Sequence, residues 1–383
     1  MPALEETDQQ RCCWLHSSRR LFAAAPRKRN ADRGQDYNDT DGWLQIPARA
    51  VNRVREIVRI WLCSAVIIPF VLTPLLAEAQ PAGKVHRIGF LGSSTPTLEA
   101  NLVGPFRQGL RELGYVEGQN VLIEYRWAEG KYERLAALVA ELLASNVDVI
   151  VTAGTPASLA VKKATTSVPL VMVAVGDPIA SGLVPSLRRP EGNITGLTSM
   201  GDELEGKRLE LLRDLLPSIS HVAALTNSGN ASMKKAVEVL LAVGAALKIK
   251  ILVLDVRSAD QLDKAFAVMR EKKPDGLLVP ADRVFLTNRA RIAEFAAQQQ
   301  LPSIHGYREL VEAGGLLSYA PSYAGMHRRA AYYVDRILKG TKPGDLPIER
   351  PTTFDLVINM KTAKALRLTI PPTLLLRVDQ VIE

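Results

Sequence analysis

The stretch VDVIVTAGTPAS, Val147–Ser158, decides how this chain folds. A run of β-branched and small apolar residues, Val147–Ala153, passes without a polar loop into glycine, proline and hydroxyl residues. Such a run suits a strand buried on both faces of a parallel sheet. Pro156 suits the first position of a helix, where a missing N–H matters least, and Thr155 suits the cap before it. Strand, turn and helix start together make the carboxyl edge of an α/β sheet, the edge along which such folds hold ligands. Glycine and alanine admit close backbone approach, while hydroxyls and exposed helix N–H groups suit an anionic group such as a carboxylate.

Outward from this stretch the pattern repeats. Strands are expected at Val85–Leu91, Val121–Trp127 and Leu170–Val175, and helices at Leu98–Leu113, Tyr132–Ala144 and Pro156–Ala164. The alternation begins again with strands His221–Asn227, Lys250–Val256 and Gly276–Ala281, separated by helices Ala231–Leu247 and Ala259–Lys272. The second and third strands of each half begin 26 residues apart, at 121 and 147 and at 250 and 276. HRIGFLGSS in the first half also lines up loosely with HVAALTNSG in the second. Repeated strand–helix units imply right-handed crossovers and parallel sheets. The tail (strand-like Leu316–Tyr319, helical Met326–Lys339, strand-like Thr353–Asn359) is too short for a third unit and must complete the first two. The fold class is therefore α/β, with two Rossmann-like lobes and a multi-strand hinge. Residues 84–200 plus 320–345 make the N-terminal lobe, and 201–319 plus 346–383 the C-terminal lobe. Crossovers fall near 198–203, 319–323 and 345–352.

The front end differs. The chain has 383 residues, 47% hydrophobic and 23% charged, enough for two domains. Residues 1–50 carry polar and charged clusters without an apolar period and read as a disordered extension or a start-site artefact. Residues 51–79 combine a basic flank, the apolar run Ile60–Leu76 and Ala77-Glu78-Ala79, the pattern of an export signal cleaved after Ala79. The competing reading is a retained anchor, against which stand Pro69 and Pro74. The three cysteines, Cys12, Cys13 and Cys63, all precede that point, which suits an oxidising compartment. The formal charge is +8; 11 Lys/Arg and 9 Asp/Glu precede residue 80, which leaves +6 beyond it. That charge is dispersed, unlike the basic stripe of a nucleic-acid binder.

Polar residues gather where the strands end: Gly92–Thr95, Thr152–Ser158 and Gly176–Pro178 in the first half, Thr226–Asn230 and Pro280–Asp282 in the second. Asp177 and Asp282 are suited to a cationic amine, one from each lobe. Each residue also has a purely structural use: Thr155 and Ser158 as helix caps, Asp177 and Asn227 in turns, Asp282 as a charge paired locally with Arg283. Their common position at one edge is what selects them. Catalytic signatures are missing: no GxGxxG, Walker lysine, GxSxG or HExxH. His86, His221, His305 and His327 are scattered, and a carboxylate pair such as Asp177 and Asp282 has no partner for acid–base work. No catalytic residue, metal or cofactor is expected, and the chain reads as a binding protein rather than an enzyme.

The segments RIGFLGSS, GLRELGYVEGQNVLIEYRWAEG, DVIVTAGTPAS, VPLVMVAVGDPIASGLVPSLRRPEGNITGL, LLPSISHVAALTN and RILKGTKPGDLPIERPTTFDLVIN resemble the ABC-transporter substrate-binding proteins of the tryptophan/tyrosine-uptake type. The resemblance covers residues 84–383. It implies a type I periplasmic binding protein, a monomer that closes on a small solute and delivers it to a membrane permease served by a separate ATPase. It carries the binding segments onto Ser93, Ser94, Gly154, Thr155, Pro156, Ala157, Asp177, Asn227 and Asp282; Tyr319, at a crossover, joins this set. Two departures fall on the second-lobe wall. Asn227–Met233 reads NSGNASM where aromatic-amino-acid binders tend to have N-P-G-E-x-N-S, and Ala281–Arg283 stands where they tend to have T-D-N. An Arg283 turned inward would favour a more acidic solute. Two other classes stand beside this one: a ligand sensor for a membrane receptor, and a secreted enzyme using Asp177 or Asp282.

Overall fold

The computed structural model describes residues 84–383; the expected export signal at 51–79 and the extension before it lie outside the described residues. The first half builds strands β1 (His86–Gly92), β2 (Val121–Trp127), β3 (Val149–Ala153), β4 (Leu170–Val175) and β5 (Ile194–Thr198). They hydrogen-bond in the order β2-β1-β3-β4-β5, parallel throughout. Between them run helices α1 (Ala100–Glu112), α2 (Leu135–Ala144) and α3 (Thr155–Ala164). All five residues of β3 are buried, as a strand covered on both faces requires.

Helix α4 (Gly201–Leu215) leads into the second half. There β6 (His221–Thr226), α5 (Ser232–Leu247), β7 (Lys250–Asp255), α6 (Leu262–Lys272), β8 (Gly276–Val279), α7 (Arg283–Thr287), α8 (Arg289–Gln298), β9 (Ser303–His305), α9 (Arg308–Glu312) and β10 (Leu317–Pro321) follow one another. Helix α10 (Tyr323–Leu338) precedes β11 (Phe354–Asn359) and β12 (Gln380–Ile382). The second sheet runs β12-β11-β10-β9-β8-β6-β7. Strands β7-β6-β8-β9-β10 repeat the order of the first sheet, so the two halves share a topology as well as a spacing. The sheet is mixed, because β11 lies antiparallel to β10, a departure from the all-parallel expectation. The expected 26-residue step also holds in one half only: β3 begins at Val149, not Val147, while β7 and β8 begin at Lys250 and Gly276.

Each sheet has apolar layers on both faces. In the first lobe Phe90 and Phe106 pack with Tyr333 and Val334 of α10, while Leu142, Ile150 and Met172 pack on the opposite face. In the second, Leu212, Leu278 and Ile358 lie on one face and Phe266, Phe285 and Phe295 on the other. Burying such a side chain stabilises by roughly 1.5–3 kcal/mol. Helix α10 therefore belongs to the first sheet although β10 before it belongs to the second. The chain crosses three times: between β5 and α4, between β10 and α10, and where Leu346–Glu349 returns along β5 before β11. That return is fixed by Thr195 Oγ1 donating to Leu346 O, by Thr198 N donating to Glu349 O, and by Glu349 N donating to Gly196 O.

Candidate functional site

The carboxyl edges of the two sheets face each other across a cavity with about 540 Å³ of space free of protein atoms, its open mouth included. The first lobe supplies Tyr132, Ala153–Pro156, Ala174 and Ser199, the second Asn230, Ser232, Met233, Ala281–Arg283 and Tyr307, and the crossover helices Asp202, Glu205 and Tyr323. Polar contacts also span the lobes. Tyr132 donates its hydroxyl to Asp282 Oδ1 at 3.0 Å, Ser94 Oγ meets Thr287 Oγ1 at 3.2 Å, and Asn101 donates to Glu309 Oε1 at 2.5 Å.

Four of the ten residues expected at the site line this cavity: Gly154, Thr155, Pro156 and Asp282. The helix start sits one residue earlier than expected. Gly154, with a φ of 88° that suits glycine, holds the cap position, and Thr155 is already helical. Thr155 Oγ1 instead accepts from Gly176 N at 3.3 Å, joining the ends of β3 and β4.

The other six lie off the wall. Ser93 donates to Ala153 O, pinning the end of β1 to that of β3, and Ser94 reaches α7. Ala157 turns into the first-lobe core. Asp177 Oδ1 accepts the backbone N–H groups of Ile179 and Ala180, the turn use expected of that residue. Asn227 stands behind Asp282 and donates Nδ2 to Oδ1 at 3.0 Å. Tyr319 stacks on Phe354, ring centroids 5.6 Å apart, against the second-lobe core. Adjacency to a strand end brought these residues to the right edge, but the direction of each side chain was not legible.

Asp282 is buried, and both of its carboxylate oxygens accept hydrogen bonds. Oδ1 accepts from Tyr132, Asn227 and Val284 N, and Oδ2 accepts from Asn230 Nδ2 at 2.8 Å. A carboxylate offers about four acceptor positions, so an amine at Asp282, the role expected of it, would share the carboxylate with these four donors. Burial, with Asp282 beside it, raises the Tyr132 pKa well above its ordinary value, so the hydroxyl keeps its proton and donates.

Sequence reasoning missed the charged and aromatic remainder. Glu205, on the inner face of α4, pairs with the fully buried Arg208, which also donates Nε to Tyr319 O. Burial pushes the Glu205 carboxyl up, with Arg208 opposing, and its Oε2 has no protein partner. Asp202 is also pushed up, by desolvation and then by nearby Asp177. Arg283 lies with its guanidinium 5.2 Å from the Tyr307 ring centroid and 3.8 Å from Glu99 Oε1 of the first lobe. Glu99 is completely buried; desolvation raises its pKa, while Arg283 and the backbone N–H groups of Ser94 and Ser93 pull it back. Among the described residues no group of three or more His, Cys, Asp or Glu is placed to hold a metal, and no helix is long and apolar enough to cross a membrane.

Two lobes of one topology, three crossovers and a polar cavity between the sheet edges define a type I periplasmic binding protein. The family model for ABC transporter substrate binding proteins matches residues 93–382, and the chain belongs to that family. Solved relatives agree. A conserved domain protein from Vibrio cholerae superposes with a TM-score of 0.74 at 27% identity, over 78% of this chain and 100% of that one. An ABC domain in complex with L-Trp from Streptococcus pneumonia superposes with a TM-score of 0.71 at 29% identity, over 77% of this chain and 100% of that one. A tyrosine-binding protein of Clostridioides difficile is 26% identical over 272 residues, 71% of this chain and 77% of that one.

Proposed function

We propose that this protein is the exported solute-binding component of an ABC importer, a monomer that captures a small amino-acid-like solute between its lobes and presents it to a membrane permease. The observation that carries the reading is the polar, lobe-bridged cavity at the two sheet edges, lined by Gly154–Pro156 from one side and Asp282–Arg283 from the other. The L-Trp complex and the tyrosine-binding relative support an amino acid as the solute class. The leader pattern at 51–79 supports export to the periplasm. Residues 84–200 with 320–345, and 201–319 with 346–383, act as the two bodies of a hinge. Solute engages one lobe, and contacts from the other stabilise the closed state.

A thermal-shift screen of amino acids and related small organic acids tests this. A ligand that binds only the folded state at 100 times its Kd stabilises by about 2.7 kcal/mol, a readily visible rise in Tm. At least one compound of this class is expected to raise it. A flat response across the class removes the amino-acid reading.

A further inference from the structure

Arg283 is the one cationic side chain on the cavity wall, and its guanidinium has no hydrogen-bonded partner among the described residues. Asp282 accepts four hydrogen bonds, from Tyr132, Asn227, Asn230 and Val284 N. Glu205 is paired with Arg208. Asp202, in the first turn of α4, is an acid whose burial pushes its pKa up, with nearby Asp177 adding to the rise. Arg283 is only 5% exposed, yet its nearest carboxylate oxygen, on Glu99, stands 3.8 Å away, beyond hydrogen-bond reach. A guanidinium carries five N–H donors in a planar fork. Burying that charge with its donors unspent is unfavourable unless something else takes them. The guanidinium lies over the Tyr307 ring, 5.2 Å from its centroid, and both residues line the cavity.

We propose that Arg283 is the receptor for a carboxylate of the solute, and that it makes the cleft select acids over amines and amides of the same shape. The inference rests on the reading of this cleft as the solute site. A carboxylate fits better than a phosphate for two reasons. Its two oxygens match the planar fork, and the acidic groups Asp202, Glu205 and Asp282 on the same wall disfavour a doubly charged anion. The carboxylate has two possible sources, the head group of an amino acid or an acidic side chain.

Calorimetric titration of the wild-type protein at neutral pH with two matched pairs separates these sources: L-tyrosine against tyramine, and L-glutamate against L-glutamine. In at least one pair the acid should bind about tenfold or more tighter, the range of a charge-assisted bidentate contact. Discrimination in the tyrosine pair identifies the head group, and in the glutamate pair the side chain. Arg283→Gln should weaken the favoured acid by about 10–100-fold while leaving its partner within about threefold, and Arg283→Lys should fall between. The proposal is overturned if both pairs bind within about threefold, if Arg283→Gln leaves the acid within about threefold, or if only solutes lacking a carboxylate bind. These results leave the cleft reading intact; absence of binding by every solute class sinks that reading itself. The wild-type comparison needs no variant, so an Arg283→Gln protein that fails to fold does not shelter the proposal.

Discussion

Asp282 and Arg283 are neighbours in sequence with opposite circumstances. The aspartate accepts four hydrogen bonds from its own protein, and it ties Tyr132 of the first lobe to Asn227 and Asn230 of the second. In the proposed cleft it would hold the wall in place. Asp282→Ala leaves two buried asparagine amides without an acceptor and frees Tyr132. Unsatisfied buried groups of this kind cost about 1–3 kcal/mol. The variant should therefore lose stability of that order in urea unfolding without solute, and it should bind solute more weakly. Affinity and stability both unchanged would remove Asp282 from the site. At this scale the sequence allowed residues to be placed at an edge, because strand ends converge there. It did not show which side chains face the cavity. Tyr132 was within reach of the same reasoning, since it opens the helical segment after β2, whereas Tyr307 follows a strand of only three residues, Ser303–His305, too short to recognise.

Elements were legible where burial was uniform. β3 and β4 are apolar but for Thr152, and α1 and α10 show clear apolar faces, so their positions followed from pattern alone. Helix α4 was not read, because its buried face carries Glu205 and Arg208 among the leucines, and two charges on that face mask the helical period. β5 was missed for a related reason: it is five residues long with Gly196 at a φ of 134°, where a Cβ would meet Met172 O at 2.0 Å. The contact between α1 and α10, which anchors the returning tail on the first lobe, offers a test. At Gly109 a Cβ would lie 2.5 Å from Arg328 O and 2.9 Å from Ala331 Cβ. Helix propensity alone predicts that Gly109→Ala gains up to about 1 kcal/mol. Close packing predicts a loss of about 1–3 kcal/mol instead. We expect the loss in chemical denaturation; a gain would mean that the two helices separate without penalty.

At the scale of the whole molecule, the repeated strand order explains why one cavity is formed by two matching edges, and the three crossovers explain how the edges can part without unfolding. Lobe-spanning contacts include Tyr132 with Asp282 on the cavity wall, Asn101 with Glu309, and Ser94 with Thr287, and the proposed opening of the hinge would break them. The leader expected at 51–79 and its cleavage bear on where the protein works rather than on this motion. Ser94 Oγ and Thr287 Oγ1 are 3.2 Å apart across the lobes. That separation suits a reversible staple made by Ser94→Cys with Thr287→Cys in the protein freed of its leader, which has no other cysteine. The decisive measurement is the rate of solute exchange in this doubly substituted protein, oxidised and reduced. The account predicts that the reduced form exchanges solute like the unsubstituted protein, while the oxidised form neither admits nor releases it. Equal exchange in both forms would show that the solute is not held between the lobes.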